Sequence, residues 1–382
     1  MLKILTIIGA RPQIIKAAAL SRAIRTDYAD QIQEIILHTG QHYDENMSQV
    51  FFDEMGIPEA DYNLSVGSDT HARQTAAMIE GIEVAIAREK PDWLVLYGDT
   101  NSTLAGAIAA VKLGVPVAHI EAGLRSFNKT MPEEINRITC DHCSTLLFSP
   151  SSTGIENLSK EGFLINATAP YSINQPGVFH CGDVMYDNAQ YFSDIAEERS
   201  DIIERLDLED GQFILATIHR DNNTDIPDRL QSIFSAIIKI GKAETVVLPL
   251  HPRTLKMLER HSDKALLDEI RSSDYIRLIP PVSFLEMIML EKHASLIMTD
   301  SGGVQKESYF YHKPCIILRP ETEWVEIVEN GSAVIADADE KKILSAYDHF
   351  KNKPPASFPP LYGDGRAAWF ICDMLLSSTS SV

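Results

Sequence analysis

The chain has 382 residues, which exceeds one ordinary core and suits two domains of roughly 150–200 residues each. Hydrophobic residues make up 45% and charged residues 23%, the balance of a globular protein whose core needs no staple. With 54 acidic against 34 basic residues the net charge is −20, which disfavours nucleic acid and confines any anionic ligand to a locally basic pocket.

The apolar start, Met1 to Ile8, is brief and runs straight into Gly9-Ala10-Arg11-Pro12. It has neither the apolar length nor the cleavage site of a signal peptide. No stretch approaches the ~20 apolar residues of a membrane span. Cys140, Cys143, Cys181, Cys315 and Cys372 are odd in number and scattered, unlike a secreted disulfide framework. A cytoplasmic protein is expected, with no membrane and no nucleic-acid partner.

Short apolar runs alternate with longer helical patterns. Residues 3–8 read as a strand closed by Gly9, and 14–25 as an amphipathic helix. A strand follows at 34–38, then a helix at 70–89 that Asp69 or Thr70 can cap. Next come a strand at 93–97, an Ala-rich helix at 103–113 stopped by Gly114, and a strand at 117–120. The helix at 132–143 carries Pro132 in its first turn. In the second half, 213–217, 245–249, 276–279, 296–299 and 315–318 read as strands, with helical patterns at 226–242, 284–291 and 303–310 among them. Buried strands alternating with helices mean parallel sheets covered on both faces, and two such sets make two doubly wound domains. The turn-rich stretch 167–178 marks the boundary, and the helical pattern at 365–376 suits a helix that returns to the first domain. The expected division is 1–172, with a C-terminal helix at about 365–380 packed back on it, and 173–362.

Open parallel sheets bind ligands beyond the carboxyl ends of their strands. Six such ends here carry polar residues: Gly9-Ala10-Arg11-Pro12-Gln13, Gly98-Asp99-Thr100, His119-Ile120-Glu121-Ala122-Gly123, His219-Arg220, His251-Pro252-Arg253 and Asp300-Ser301-Gly302-Gly303. Three fall in each half, which suggests an inter-domain cleft lined from both sides. Ser301-Gly302-Gly303 opens a helix, whose free amides and dipole can hold a phosphate, and Glu307 one turn on can accept two ribose hydroxyls. A plain glycine-containing helix cap is the alternative. Neither Gly-x-Gly-x-x-Gly nor a Walker lysine motif occurs, so NAD and ATP lose support.

Asp99, Glu121 and Glu133 are the acidic candidates of the first half. Converging near His219 they would perform acid–base chemistry. Taken singly they read as a turn residue, a loop residue and a dipole-favourable helix start, with Glu133 and Arg137 spaced for a surface ion pair. Cys140-Asp141-His142-Cys143 has the look of a metal knuckle but lies mid-helix without a second cysteine pair, so helix packing is the expected role and no metal is expected.

Together, and in this order, these motifs resemble the non-hydrolysing UDP-N-acetylglucosamine 2-epimerases. The resemblance runs from Lys3 to about Ala368 and includes Lys16, Leu124-Arg125, Met131-Pro132-Glu133-Glu134-Ile135-Asn136-Arg137 and Tyr362-Gly363-Asp364-Gly365. It implies a homodimer of the two-domain fold shared with nucleotide-sugar glycosyltransferases, with UDP held by the C-terminal domain. It implies no metal and no nicotinamide. The reaction it implies removes the C2 proton, expels UDP to leave a 2-acetamidoglucal, and adds UDP back after protonation from the other face. Asp99, Glu121 and Glu133 match the family's proton-transfer residues and His219 its catalytic histidine. Arg11, Ser301, Gly302, Gly303 and Glu307 match UDP contacts, and Lys16 and Arg137 match basic residues of the site. Gln41-His42 matches part of an allosteric UDP-GlcNAc site.

Two segments depart from the common pattern. Thr-Glu-Arg-Pro-Glu is replaced by Thr322-Glu323-Trp324-Val325-Glu326, and Gly-Thr-Arg-Pro-Glu by Gly9-Ala10-Arg11-Pro12-Gln13. Both resemble the subgroup acting on UDP-2,3-diacetamido-2,3-dideoxyglucuronic acid. The rival functions are a hydrolysing epimerase, a glycosyltransferase using a UDP-sugar donor, and a non-catalytic sensor. Three carboxylates suit proton shuttling at C2 better than the single base that acceptor activation needs.

Overall fold

The computed structural model describes residues 1–40, 59–261 and 264–379, without the side chains of Arg11 and Thr379. The chain divides into two compact units, one of Met1–Asn188 with Pro360–Val382 and one of Ala189–Pro359. Among the described residues no helix is long and apolar enough to cross a membrane.

The first unit holds a seven-stranded sheet: β1 (Leu2–Ile8), β2 (Ile32–His38), β3 (Tyr62–Asn63), β4 (Trp93–Tyr97), β5 (Val117–Ile120), β6 (Leu146–Ser149) and β7 (Gly177–His180). The spatial order is β3-β2-β1-β4-β5-β6-β7, and every pairing is parallel. Ile4, Leu5, Ile7 and Ile8 of β1 are fully buried, as a strand covered on both faces requires. The helix Arg11–Asp27 leaves β1 at once, with Pro12 in its first turn. Gly9 permits this: a Cβ there would stand 2.1 Å from Ser102 Oγ and 2.2 Å from Thr39 Oγ1.

The second unit holds β8 (Phe213–Thr217), β9 (Thr245–Pro249), β10 (Ile276–Ile279), β11 (Leu296–Thr299), β12 (Cys315–Ile317) and β13 (Ala333–Ile335). Its order is β10-β9-β8-β11-β12-β13, again all parallel. The helix Pro227–Gly241 packs Leu230, Ile233, Phe234 and Ile237 into that core. Both sheets reverse strand order beside their first strand, at β1/β4 and at β8/β11. Those reversals leave crevices past the carboxyl ends of the paired strands.

Four strands were not legible in sequence: β3, β6, β7 and β13. All are two to four residues long. The turn-rich stretch 167–178 lies within the first unit and runs into β7, an edge strand paired with β6. The helix Ala367–Thr379 also belongs to this unit, where the amides of Ala367 and Ala368 donate to the buried Asp187 at 3.1 and 2.8 Å.

Candidate active site

At the reversal of the first unit, Gly98 leaves β4 with a φ of 62°. A Cβ on Gly98 would sit 3.1 Å from Lys16 Nζ and 3.2 Å from Glu121 Oε2, so both groups rest against the bare backbone. Lys16 and Glu121 form an ion pair. Glu121 itself has a φ of 76°, a strained value for a side-chain-bearing residue. Its amide and that of Ala122 both donate to the Phe148 carbonyl at 3.0 Å, which holds the turn.

Asp99, next along from Gly98, meets Arg137 Nη2 at 2.5 Å. Arg137 Nη1 lies 3.1 Å from Glu134 Oε2. The ion pair on this helix is therefore three residues apart and runs to Glu134, not to Glu133 as the spacing alone suggested. Glu134 is buried and also accepts from the amides of Ser126 and Phe127, at 2.9 and 3.0 Å. Glu133 is exposed in the first turn of the helix Pro132–Cys143. Burial lifts the Asp99 carboxyl above the usual carboxylate range against the pull of Arg137 and Lys16, and Glu121 adds to the rise. A carboxyl so shifted exchanges a proton nearer neutrality.

Gln13 explains one departure from the common motif. Its Oε1 accepts from the amides of Gly9 and Ala10, at 2.9 and 3.2 Å. Its Nε2 donates to the Tyr97 carbonyl at 2.9 Å and to Thr103 Oγ1 at 3.0 Å. The four partners fix the amide orientation, and a carboxylate could not donate to the carbonyl. Gln13 thus ties the loop after β1 to the end of β4. Arg11 heads the neighbouring helix, but its side chain lies outside the described residues, as do Gln41 and His42.

In the second unit, His219 and Arg220 follow β8, and Asp300 follows β11. Asp300 is fully buried, and its carboxylate lies 2.9 Å from His219 Nδ1. It also accepts from the His219 and Arg220 amides, at 3.1 Å each, and from Asn223 Nδ2 at 3.1 Å. Burial works to raise the Asp300 carboxyl, but these bonds, that of His219 foremost, hold it below its usual range. A fixed carboxylate on Nδ1 orients the ring and leaves Nε2 to exchange protons outward.

The helix Gly302–Phe310 begins with Ser301 as its cap. A Cβ on Gly302 would lie 3.7 Å from Arg319 Nη1 and 4.0 Å from Arg220 Nη2, so two guanidinium groups flank the exposed amides. Arg319 is held by Glu323 in a two-pronged pair at 3.0 and 2.9 Å. Amides, dipole and two guanidinium groups make this helix start a locally basic cradle of the kind that suits an anion, with the Glu323 carboxylate, 4.0 Å from the same Cβ position, at its rim. Beside Glu307, one turn into this helix, burial and the Glu307 carboxylate push Glu291 well above the usual carboxylate range. His251 is exposed, while Arg253 pairs with Asp221 and Asp225, at 2.7 Å each. Cys140 and Cys143 are free thiols, and Cys140 is packed in the core.

The profile described as UDP-N-acetylglucosamine 2-epimerase matches residues 24–376. The chain belongs to the UDP-N-acetylglucosamine 2-epimerase family. A UDP-2,3-diacetamido-2,3-dideoxy-D-glucuronate 2-epimerase of Pseudomonas aeruginosa is 47% identical over 98% of this chain and 99% of its own. The crystal structure of Methanocaldococcus jannaschii UDP-GlcNAc 2-epimerase in complex with UDP-GlcNAc and UDP is 39% identical. It superposes with a TM-score of 0.82 and covers 98% of this chain and 100% of its own. A UGT transferase from Siraitia grosvenorii in complex with UDP, 13% identical with a TM-score of 0.59, covers 99% of this chain and 95% of its own and shares the fold alone.

Against the family pattern, Trp324 stands where the common motif has arginine. Its Nε1 donates to the Gly302 carbonyl at 2.9 Å, and Lys306 Nζ lies 4.2 Å from its ring centroid. A cation is thus kept beside the cradle, on Lys306 rather than on residue 324. Motif reading brought out Asp99, Glu121, Arg137, Lys16, His219 and the Ser301 helix. It gave no role to Glu291 and Arg319, whose only signal was a charged residue within an otherwise apolar or helical run, and it met Glu134 only as part of a matched motif and Asp141 only within a knuckle-like run, without the pairing each makes.

Proposed function

We propose that this chain inverts C2 of the 2-acetamido sugar of a UDP-sugar without net hydrolysis. The observation that carries the reading is a pair of cation-held carboxylates, Asp99 and Glu121, on the ends of adjacent strands in a chain of this family. One carboxylate takes the C2 proton as the bond from C1 to the diphosphate breaks, giving a C1–C2 double bond and free UDP. A second acid, with Glu133 as the further candidate, returns a proton to the opposite face. The UDP oxygen then re-forms the bond to C1. Ser301, Gly302 and Gly303 receive the diphosphate together with Arg11, Arg220 and Arg319, and Glu307 receives the ribose. His219, oriented by Asp300, assists departure and return of UDP. Lys16 and Arg137 hold the carboxylates ready.

The scheme draws on no metal and no nicotinamide. We further propose that the N-terminal domain supplies the acid–base groups and the C-terminal domain the nucleotide site, in a cytoplasmic homodimer. Trp324 and the identity to the P. aeruginosa enzyme favour a substrate with a 3-acetamido group and a C6 carboxylate over plain UDP-GlcNAc.

Proton NMR in deuterated water, with UDP-GlcNAc and with the diacetamido uronate, tests the reading. Deuterium at C2 and a second UDP-sugar at equilibrium are expected. Accumulating free UDP and free sugar would point to the hydrolysing reaction, and absence of C2 exchange with both substrates would end the proposal.

A further inference from the structure

We infer that His119 is a positioning residue for the acid–base pair, an imidazolium that clamps the backbone of Gly98 from below. The inference rests on the reading of Asp99 and Glu121 just given.

His119 lies in β5 and is fully buried. Each ring nitrogen faces an acceptor. Nε2 is 2.8 Å from the Gly98 carbonyl and Nδ1 is 2.7 Å from Asp141 Oδ1. A carbonyl oxygen cannot donate, so Nε2 carries a proton. The Asp141 carboxylate is fixed in its ionised form by Arg125 Nη2 at 2.7 Å and by the Gly123 amide at 3.1 Å. Nδ1 therefore carries a proton as well, and the ring is charged. Arg125 in turn is gripped by Glu161 through two bonds, of 2.7 and 2.6 Å. The buried groups His119, Asp141 and Arg125, with the more exposed Glu161 at their edge, are neutral overall. Burial alone would discharge His119, but the Asp141 carboxylate hydrogen-bonded to it works the other way, and the ring is held well above the usual histidine range.

What the clamp fixes is specific. The Gly98 amide donates to the Ile120 carbonyl at 3.0 Å, and the Gly98 carbonyl accepts from His119. Both polar groups of Gly98 are thus tied to β5, which locks a left-handed glycine that would otherwise be loose. Asp99 takes its direction from that peptide, and Lys16 and Glu121 lie on its surface. Glu121 lies two residues beyond His119, in the turn that leaves β5. One imidazolium therefore sets the spacing of the two carboxylates.

The test uses the full chain. In wild-type protein labelled with ¹⁵N-histidine, one of the 12 histidines should carry protons on both nitrogens at pH about 8.5, well above the ordinary value of about 6.5. If none does, the inference is overturned, and this requires no variant to fold. His119→Gln reaches only one of the two acceptors. Its kcat for C2 exchange should fall about 10²-fold, the scale of a misplaced catalytic group, with UDP affinity by calorimetry unchanged and the doubly protonated signal gone. A folded His119→Gln protein with wild-type kcat would equally overturn it. If the wild-type protein exchanges C2 with neither UDP-sugar, the proposed activity fails on its own, and the imidazolium signal still decides the clamp.

Discussion

Arg137 is gripped from two sides by carboxylates of different kinds, Asp99 at 2.5 Å and Glu134 at 3.1 Å. Glu134 is buried and saturated by backbone donors, so it anchors the guanidinium. Asp99 is the half-buried partner with a carboxyl raised by burial. Asp99→Asn and Glu121→Gln should each slow C2 exchange by about 10²–10⁴-fold, the usual cost of losing a general acid or base. UDP affinity should persist. Because the Asp99 carboxyl is raised, the acidic limb of the kcat profile should lie above pH about 4 if this group acts as the base. Near-normal exchange in both folded variants would return these residues to the status of loop caps.

The His219–Asp300 pair makes a separate prediction. Asp300→Asn removes the carboxylate that fixes Nδ1 and leaves an amide facing three donors. We expect kcat to fall at least as far as in His219→Ala, with part of that loss from a disturbed β8–β11 crevice, visible as a lower melting temperature. His219→Ala, whose side chain is half exposed, should keep its melting temperature while losing turnover.

Ribose recognition can be read by calorimetry. Glu307→Ala should weaken UDP binding by at least the worth of two charge-assisted hydrogen bonds, roughly tenfold or more in affinity. Glu291→Gln preserves a donor toward Glu307 and removes the titrating proton, so it should bind UDP nearly as wild type. Equal affinity in Glu307→Ala would refute the ribose assignment.

Trp324→Arg restores the common family residue but removes the bond to the Gly302 carbonyl and the surface on which Lys306 stacks. The ratio of kcat/KM for plain UDP-GlcNAc to that for the diacetamido uronate should rise. A wild-type protein that already turns over plain UDP-GlcNAc as well as the uronate would remove the premise.

Asp187 holds the start of the C-terminal helix and is raised to about 6 by burial. Since its folded value lies above its unfolded one, its favourable contribution is complete below pH about 4 and is lost as pH rises through about 6. The stability advantage of wild type over Asp187→Asn should therefore shrink between those limits, as measured by denaturant unfolding at a series of pH values. A gap that widens with pH would contradict the sign.

Sequence alone determined much of the architecture. Strands such as Trp93–Tyr97 and Cys315–Ile317 are apolar throughout, and helices such as Pro132–Cys143 open on a proline, so local periodicity and turn chemistry suffice to read them. The same locality exposed the polar residues at strand ends, because a parallel sheet must place its functional loops there. The short edge strands β3, β7 and β13 escaped because two to four residues carry too little pattern.

Which residues meet was a matter for the tertiary structure. Glu133 and Glu134 are neighbours of one type, and only the packing of their helix decides that Glu134 is buried against Arg137. The Asp300–His219 pair spans 81 residues, and His119 finds Asp141 one helix away. Gln13 looked like a departure from a motif until its amide was seen to bridge two strand ends. Charge states followed the same rule: the sequence supplied ionisable groups with ordinary affinities for protons, and burial beside particular partners separated Asp99 from Asp300.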